Sequence, residues 1–239
     1  MLKIDLFNHI LPQKCFDRIY EINPNLKDIG KRMKSIPVLT DVDLRLKQLE
    51  EFGDDYRQVI SLAAPPPELV GTPEDSVELC RIANDEMAKV VERDDRFLGF
   101  IASVPMDNEG AIASEIDYAI KDLGAKGVQV FTNVRGAALD KPEFSDLFER
   151  MAHYDLPIWV HPARTAAHPD YVGEDRSWYE IWWTFGWPYE TSVMMARLIY
   201  SGYFDQYPDL KVITHHLGGN TPFHGGRVGP GNDQLGART

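Results

Sequence analysis

The feature that most constrains the fold of this chain is a series of short apolar runs, each followed by a stretch with helical periodicity. The runs are rich in branched residues and largely apolar, which is typical of parallel strands covered on both faces. Six runs occur, at residues 2–7, 57–63, 97–104, 127–131, 157–161 and 210–215. Strands that alternate with helices in this way predict an α/β fold with right-handed crossovers.

The segments between the runs carry the signals of helix starts and faces. Thr72 can cap a helix, and Pro73 suits its first turn. Apolar residues then recur at helical spacing over residues 77–90, 112–123 and 144–151. A closed TIM-type (β/α)8 barrel needs eight strand-helix units, and the sequence supplies six. We therefore expect a single barrel domain over residues 1–239 that is truncated after about six units, with strands seven and eight missing.

Composition excludes several classes of partner. The formal net charge is −12 and the pI is about 5.0, so the chain offers no basic surface for nucleic acid or an anionic membrane. The N-terminus lacks a signal-peptide run, and no segment approaches a membrane span. Cys15 and Cys80 form no disulfide framework and are expected to be small buried residues. These features predict a soluble, cytoplasmic protein.

Histidines lie where three of the predicted strands end. His9 follows the first run, His161 ends the fifth, and His215 and His216 follow the sixth. The carboxyl ends of barrel strands meet at one rim, where barrel enzymes build their sites, and neutral imidazole is a good ligand for zinc, manganese or iron. Adjacent strand residues point to opposite faces, so we expect only one of His215 and His216 to face the site. The alternative is that these histidines are hydrogen-bonded structural residues.

An aromatic stretch over residues 177–189 contains four of the five tryptophans of the chain. It follows the fifth strand, so its start is expected to rise over the same rim. One interpretation is a buried or intersubunit aromatic cluster. The other is a wall, including Trp182, that packs against a planar substrate. Because an incomplete barrel also leaves open edges, we expect a homodimer with Trp182, Trp183 or Trp187 at or near the contact.

Four segments resemble one family of enzymes. They are residues 4–9 (IDLFNH), 160–164 (VHPAR), 182–191 (WWTFGWPYET) and 214–219 (THHLGG). In this order they are similar to the amidohydrolase-related metal-dependent hydrolases, in the branch of aminocarboxymuconate-semialdehyde decarboxylase and γ-resorcylate decarboxylase. The resemblance implies a (β/α)8 barrel with one divalent metal ion, zinc with manganese as the alternative.

The resemblance also implies roles for individual residues. His9 and His161 would be metal ligands, and His216 would be the general acid or base. The chain departs from the family at Phe7, which stands in place of a ligand, and at the final aspartate ligand, which it lacks. Two of the four expected ligands are therefore missing, and weak metal binding is expected.

The resulting hypothesis is a metal-dependent lyase that decarboxylates a small unsaturated or aromatic carboxylic acid. Arg164 and Trp182 are the candidate substrate-binding residues, although Arg164 is equally well suited to a surface salt bridge. The alternatives are a metal-dependent hydrolase of the same family, or a metal-free and catalytically impaired relative that binds a small molecule or a partner chain.

Overall fold

Six parallel strands form one sheet in the computed structural model of the chain, which describes residues 1–231 and 233–234. The strands are β1 Lys3–Ile10, β2 Tyr56–Leu62, β3 Phe97–Ser103, β4 Val128–Phe131, β5 Asn133–Val134, β6 Ala137–Ala138, β7 Ile158–His161 and β8 Val212–Thr214. The strand order of the large sheet is β1-β2-β3-β4-β7-β8. The remaining two strands, β5 and β6, form a separate antiparallel hairpin after β4.

Helices connect consecutive strands, as the alternating pattern predicts. A capping box starts the longest helix: the Thr72 hydroxyl accepts from the main-chain N–H of Asp75, and the Asp75 carboxylate accepts from the main-chain N–H of Thr72. No helix of the described residues combines the length and apolar character needed to cross a membrane. The helices are α1 Gln13–Ile22, α2 Asp28–Met33, α3 Val42–Leu49, α4 Pro73–Arg93, α5 Glu109–Lys121, α6 Ser145–Tyr154, α7 Ile181–Thr184, α8 Gly186–Tyr200, α9 Tyr203–Gln206 and α10 Thr221–Gly231.

The large sheet curls into a half-barrel. Its edge strands are β1 and β8, yet the ring centroids of His9 and His215 at their carboxyl ends are only 5.4 Å apart. The six strands coincide with the six predicted apolar runs, and the predicted truncated α/β barrel is confirmed at this level. The final residues of the predicted domain, 235–239, and residue 232 lie outside the described residues.

The main core lies between the outer face of the sheet and the helices. It takes Ile60, Phe100 and Val130 from the strands and Leu79 and Met87 from α4. A smaller inner cluster fills the hollow of the half-barrel below the histidines. Its members are Val59, Ile101 and Trp159, with Leu6 and Ile213 packed against them. Both cysteines are fully buried and unbridged, as predicted.

A bulge in β1 decides which of its side chains face inward. Asp5 pairs with Gln58 and Asn8 with Ile60, so β1 has one residue more than β2 over this interval. Pairing then continues to Ile10, so His9 lies inside the strand and not beyond its end as the sequence suggested. The strand is longer than its apolar run because pairing with β2 resumes after the bulge and includes the polar pair Asn8–His9.

Glu68 is a buried carboxyl group in the 3-10 turn Pro67–Leu69 that follows β2. It is 1% exposed, and neither of its oxygens has a hydrogen-bond partner among the described residues. Burial raises the pKa of Glu68 from 4.5 to about 8, and the Asp107 carboxylate adds to this effect. The folded chain therefore keeps the proton of Glu68 at neutral pH, whereas the unfolded chain releases it.

We predict that Glu68 makes stability fall as the pH rises from about 4.5 to about 8, because over this interval the folded state binds more protons than the unfolded state. Between pH 4.5 and 7.5 the wild type should lose on the order of 3 kcal/mol relative to Glu68→Gln, which does not titrate. Urea unfolding at several pH values measures the difference. The exposed Glu149→Gln serves as control, and parallel pH profiles for the wild type and Glu68→Gln would contradict the prediction.

Candidate metal centre and adjoining cavity

Three histidines from three strands converge at the carboxyl edge of the sheet. His9 comes from β1, His161 is the last residue of β7, and His215 directly follows β8. One ring nitrogen from each lies within 4.8 Å of the others. His161 and His215 are buried and His9 is half-buried. The structure thus brings together the two predicted ligands, His9 and His161, and adds His215 to them.

Hydrogen bonds leave ring nitrogens of His9 and His161 free to coordinate. His161 Nδ1 lies 2.9 Å from the carbonyl oxygen of Pro162, which can only accept, so Nδ1 carries the proton. The Ser61 hydroxyl donates to the Asn8 carbonyl and is 3.0 Å from His9 Nδ1, so it accepts from that nitrogen. Both Nε2 atoms are therefore unprotonated. Histidine ligands of metals are commonly oriented by such bonds from the other nitrogen.

The surroundings keep these imidazoles neutral. Burial lowers the pKa of His9 to about 4, with further lowering by His216 and Arg45, and it lowers the pKa of His215 to about 3. Burial also lowers the pKa of His161 well below its ordinary value. Neutral imidazole is the form that binds metals. Nε2 of His215 is buried and has no hydrogen-bond partner among the described residues, so this polar atom is available to a metal ion.

His216, the predicted general acid or base, also borders this cluster. Its ring centroid is 5.2 Å from that of His161, on the solvent side, and burial lowers its pKa. The expectation that only one of His215 and His216 would face the site does not hold. Strand β8 ends at Thr214, and His216 begins a turn with φ of 51°, so strand alternation no longer applies.

Phe7 occupies the position next to the cluster where the family resemblance calls for a ligand. Its ring meets that of His215 edge-on at 5.2 Å, and 49% of the residue is exposed. Phenylalanine offers no donor atom to a metal. Among the described residues no carboxylate joins the three histidines, so the set consists of imidazoles alone.

A cavity of about 360 Å³ lies beside the histidines. Trp187 belongs to its wall and also packs against His161, with centroids 5.2 Å apart, so the cavity and the cluster are neighbours. Apolar surface dominates the lining, and the polar side chains include Lys27 and Arg164. The predicted substrate-binding residue Arg164 thus reaches a cavity next to the cluster.

Arg164 is held in place by its neighbours. Its Nη1 donates to Glu190 of α8 at 3.0 Å, and its Nε is buried without a partner among the described residues. A side chain at Gly186 would meet Arg164 Cδ at 2.5 Å, so only glycine lets the guanidinium pass. The salt bridge considered from the sequence exists, but it is half-buried and not on the surface.

Trp182, the other predicted substrate-binding residue, lies further from the histidines than Trp187. It is 3% exposed, donates from Nε1 to Glu180 at 2.6 Å, and lines a separate groove with Arg32 and Trp183. Trp187 takes the place expected of Trp182, because the break between α7 and α8 turns the chain toward His161 and His216. The interpretation of a buried aromatic cluster is correct for Trp182 and Trp187.

Sequence reasoning missed Trp187 and Ser61 and left His215 open. Trp187 was one of four tryptophans in a single stretch, and no local signal separated it from the others. Ser61 lay inside an apolar run at inward-facing spacing, which marked its face but not its bond to His9.

Comparison with known proteins assigns the family. The sequence profile of the amidohydrolase family (Amidohydro_2) matches residues 40–234. The chain belongs to this amidohydrolase family. It is similar to 2-amino-3-carboxymuconate-6-semialdehyde decarboxylase of Dictyostelium discoideum, with 31% identity over 244 residues that cover 95% of the chain and 66% of that protein.

A second relative and two similar solved structures are also decarboxylases. Gamma-resorcylate decarboxylase of Rhodococcus jostii is 28% identical over 75% of the chain and 57% of its own length. The chain therefore spans less than two thirds of either curated relative. A dihydroxybenzoic acid decarboxylase from Polaromonas, solved with manganese and 2-nitroresorcinol, has a TM-score of 0.72 and 26% identity, over 93% of this chain and 68% of that one. For 5-carboxyvanillate decarboxylase from Sphingomonas paucimobilis the TM-score is 0.81, with 24% identity over 98% and 74%.

We predict that His161→Ala abolishes stoichiometric binding of divalent metal by this amidohydrolase family member. His161 is the central ring of the cluster, and without it two imidazoles remain from strands at opposite edges of the sheet. Elemental analysis after dialysis against zinc or manganese measures the content. The control is His153→Ala, an exposed histidine on α6. Metal retained at wild-type stoichiometry in His161→Ala would place the site elsewhere.

Proposed function

We propose that this chain is a metal-dependent carbon-carbon lyase that removes CO₂ from a small aromatic or unsaturated carboxylic acid. The observation that carries the proposal is the convergence of three neutral histidines beside a largely apolar cavity that contains an arginine. The family supports the choice of reaction, because the similar proteins named above are decarboxylases. A hydrolase of the same family is the second candidate.

His9, His161 and His215 are the residues that would hold the metal. They fit it, since the pKa of each is lowered and His215 Nε2 lacks any other partner among the described residues. When bound, the metal would neutralise and orient the oxygens of the substrate. Imidazole donors favour zinc, and manganese, which the Polaromonas structure contains, is the alternative. A set with only imidazoles would hold manganese less well, because manganese prefers oxygen donors.

The cavity suits a single-ring acid. Its volume of about 360 Å³ is at the lower end of the range for small-molecule sites. Trp187 and Arg164 line the cavity, so an indole ring is available to a planar substrate and a guanidinium group to an anionic substituent. Apolar walls exclude water and so strengthen these polar contacts.

His216 is the proposed proton donor. In the reaction the bond between the ring carbon and the carboxylate breaks, CO₂ leaves, and the carbon receives a proton in its place. Burial alone lowers the pKa of His216, but a bound carboxylate nearby would raise it again and favour the protonated form. Its position at the solvent side of the cluster lets it regain the proton from water after each turnover.

We predict that the metal-loaded chain converts 2,6-dihydroxybenzoate to resorcinol and CO₂, and that His216→Asn slows this at least about 100-fold. Metal content should be unchanged, because His216 is not among the three clustered ligands. Chromatographic product analysis and CO₂ release measure turnover, with the exposed His224→Asn as control. Full activity in His216→Asn would remove its proposed role. A metal-loaded chain that neither decarboxylates nor hydrolyses aromatic acids and esters would contradict the proposed enzyme class.

We also propose that the chain forms a homodimer. Trp182 and Trp187 are buried within their own chain, which leaves the half-buried Trp183 as the one of the three predicted tryptophans that could reach a partner. The exposed apolar residues of the same region support a different contact. Tyr179 is 90% exposed, Phe185 74% and Tyr189 56%, and we call these three side chains the aromatic patch.

We predict that light scattering at micromolar concentration gives the mass of a dimer, and that the double variant Phe185→Ser, Tyr189→Ser gives a monomer. Both side chains lie at the surface, so their loss should not unfold the chain. Phe52 lies outside the aromatic patch and is 55% exposed, close to the value for Tyr189, and Phe52→Ser should remain dimeric. A monomeric wild type would refute the dimer, and a dimeric double variant would place the contact elsewhere.

A further inference from the structure

Arg45 is a buried arginine that the proposed chemistry does not use. It lies on α3, outside the half-barrel, and is 6% exposed. A guanidinium group is costly to bury unless its donors are paired. Its hydrogen-bond partners among the described residues are three neutral acceptors and include no carboxylate. The position of those acceptors indicates why the charge is there.

All three acceptors belong to β1 or to its pairing partner at the bulge. Nη1 donates to the main-chain oxygen of His9 at 2.7 Å, and Nη2 donates to the side-chain oxygen of Asn8 at 2.5 Å. Nε donates to Gln58 on β2 at 2.9 Å. One rigid, planar group therefore joins the two strands and the main chain of His9.

The bulge needs such support because β1 is an edge strand. Within the described part of the chain it pairs only with β2, and the extra residue interrupts that ladder between Asp5 and Asn8. Asn8 bridges the interruption by donating to the main-chain oxygens of Asp5 and Val59, at 3.1 and 3.0 Å. Arg45 fixes Asn8 and the main chain of His9 from the helix side, while Ser61 fixes the His9 ring from the inner side.

We propose that Arg45 is a positioning residue for the metal centre: it holds the β1 bulge so that His9 meets His161 and His215. This inference rests on the proposed function, since it assigns His9 to a metal site. It goes beyond that function because it assigns the positioning of His9 in part to α3, a helix on the opposite face of the sheet.

The test compares Arg45→Met and Arg45→Lys with Arg96→Met. Arg96 is the control: it is half-buried, pairs with Asp94, and also donates to a main-chain oxygen, that of Leu46 on α3 at 3.0 Å. It lies at the amino edge of the sheet, before β3, away from the histidines. Cobalt(II) titration followed by visible absorption gives affinity and ligand geometry, and urea unfolding of the metal-free protein gives stability.

We expect Arg45→Met to weaken cobalt binding by about 10-fold or more and to alter the absorption bands, as loss of a group that orients a ligand does. The cobalt affinity of Arg45→Lys should lie between those of Arg45→Met and the wild type, because one ammonium group cannot reach all three acceptors. Arg96→Met should bind cobalt within about twofold of the wild type even where it unfolds more readily. If Arg45→Met does not fold, Arg45→Lys decides. Equal cobalt affinity in the Arg45 and Arg96 variants would overturn the proposal.

A second readout separates this proposal from the proposed function. The ring ¹⁵N and ¹H resonances of His9 in the metal-free protein report its hydrogen bonds and surroundings directly. They should shift in the Arg45 variants and stay in place in Arg96→Met. If the wild type binds no cobalt, the metal site fails but the His9 resonances still test Arg45. Unchanged His9 resonances in both Arg45 variants would overturn the positioning role.

Discussion

The parallel pairing of six strands in a curled sheet is the constraint on which the rest of this structure depends. Parallel pairing places the carboxyl ends of all six strands at one edge, and the curl brings the first and last strands together there. Histidines that are remote in sequence thereby become neighbours. The inner face below them is filled by Val59, Ile101 and Trp159, so the site has a packed floor.

Burial around the histidines disfavours their protonated forms and thereby leaves them able to bind a metal ion. Grouping several imidazoles in an apolar hollow lowers their pKa values, and protonating them would set like charges against each other. The same surroundings keep their lone pairs available to a metal ion. Burial also favours the neutral form of Glu68, but for a carboxyl group this means that the pKa is raised and the proton is kept. Desolvation thus holds the three clustered histidines and Glu68 in their neutral forms.

Support for the site comes from both faces of the sheet. On the inner side, Ser61 and the Pro162 carbonyl orient the rings of His9 and His161. On the rim, the absence of a side chain at Gly186 lets Arg164 pass beside α8 to the cavity and pair with Glu190. On the helix side, Arg45 fixes the main chain of β1. The candidate metal centre and its cavity therefore also depend on Ser61, Gly186 and Arg45, which support the histidines and Arg164 from behind.

The sequence by itself determined the fold class, the six strands, the start of α4, and the positions of His9 and His161 near strand ends. These features follow from local periodicity, capping and strand order, which are written in neighbouring residues. Tertiary structure alone decided that His215 joins His9 and His161, that Trp187 and not Trp182 borders them, and that Arg45 braces β1. Each of these depends on a bulge, a strand end or a helix break, where the alternation of side chains between two faces shifts by one residue. Packing between distant segments sets such shifts, and the local sequence pattern does not reveal them.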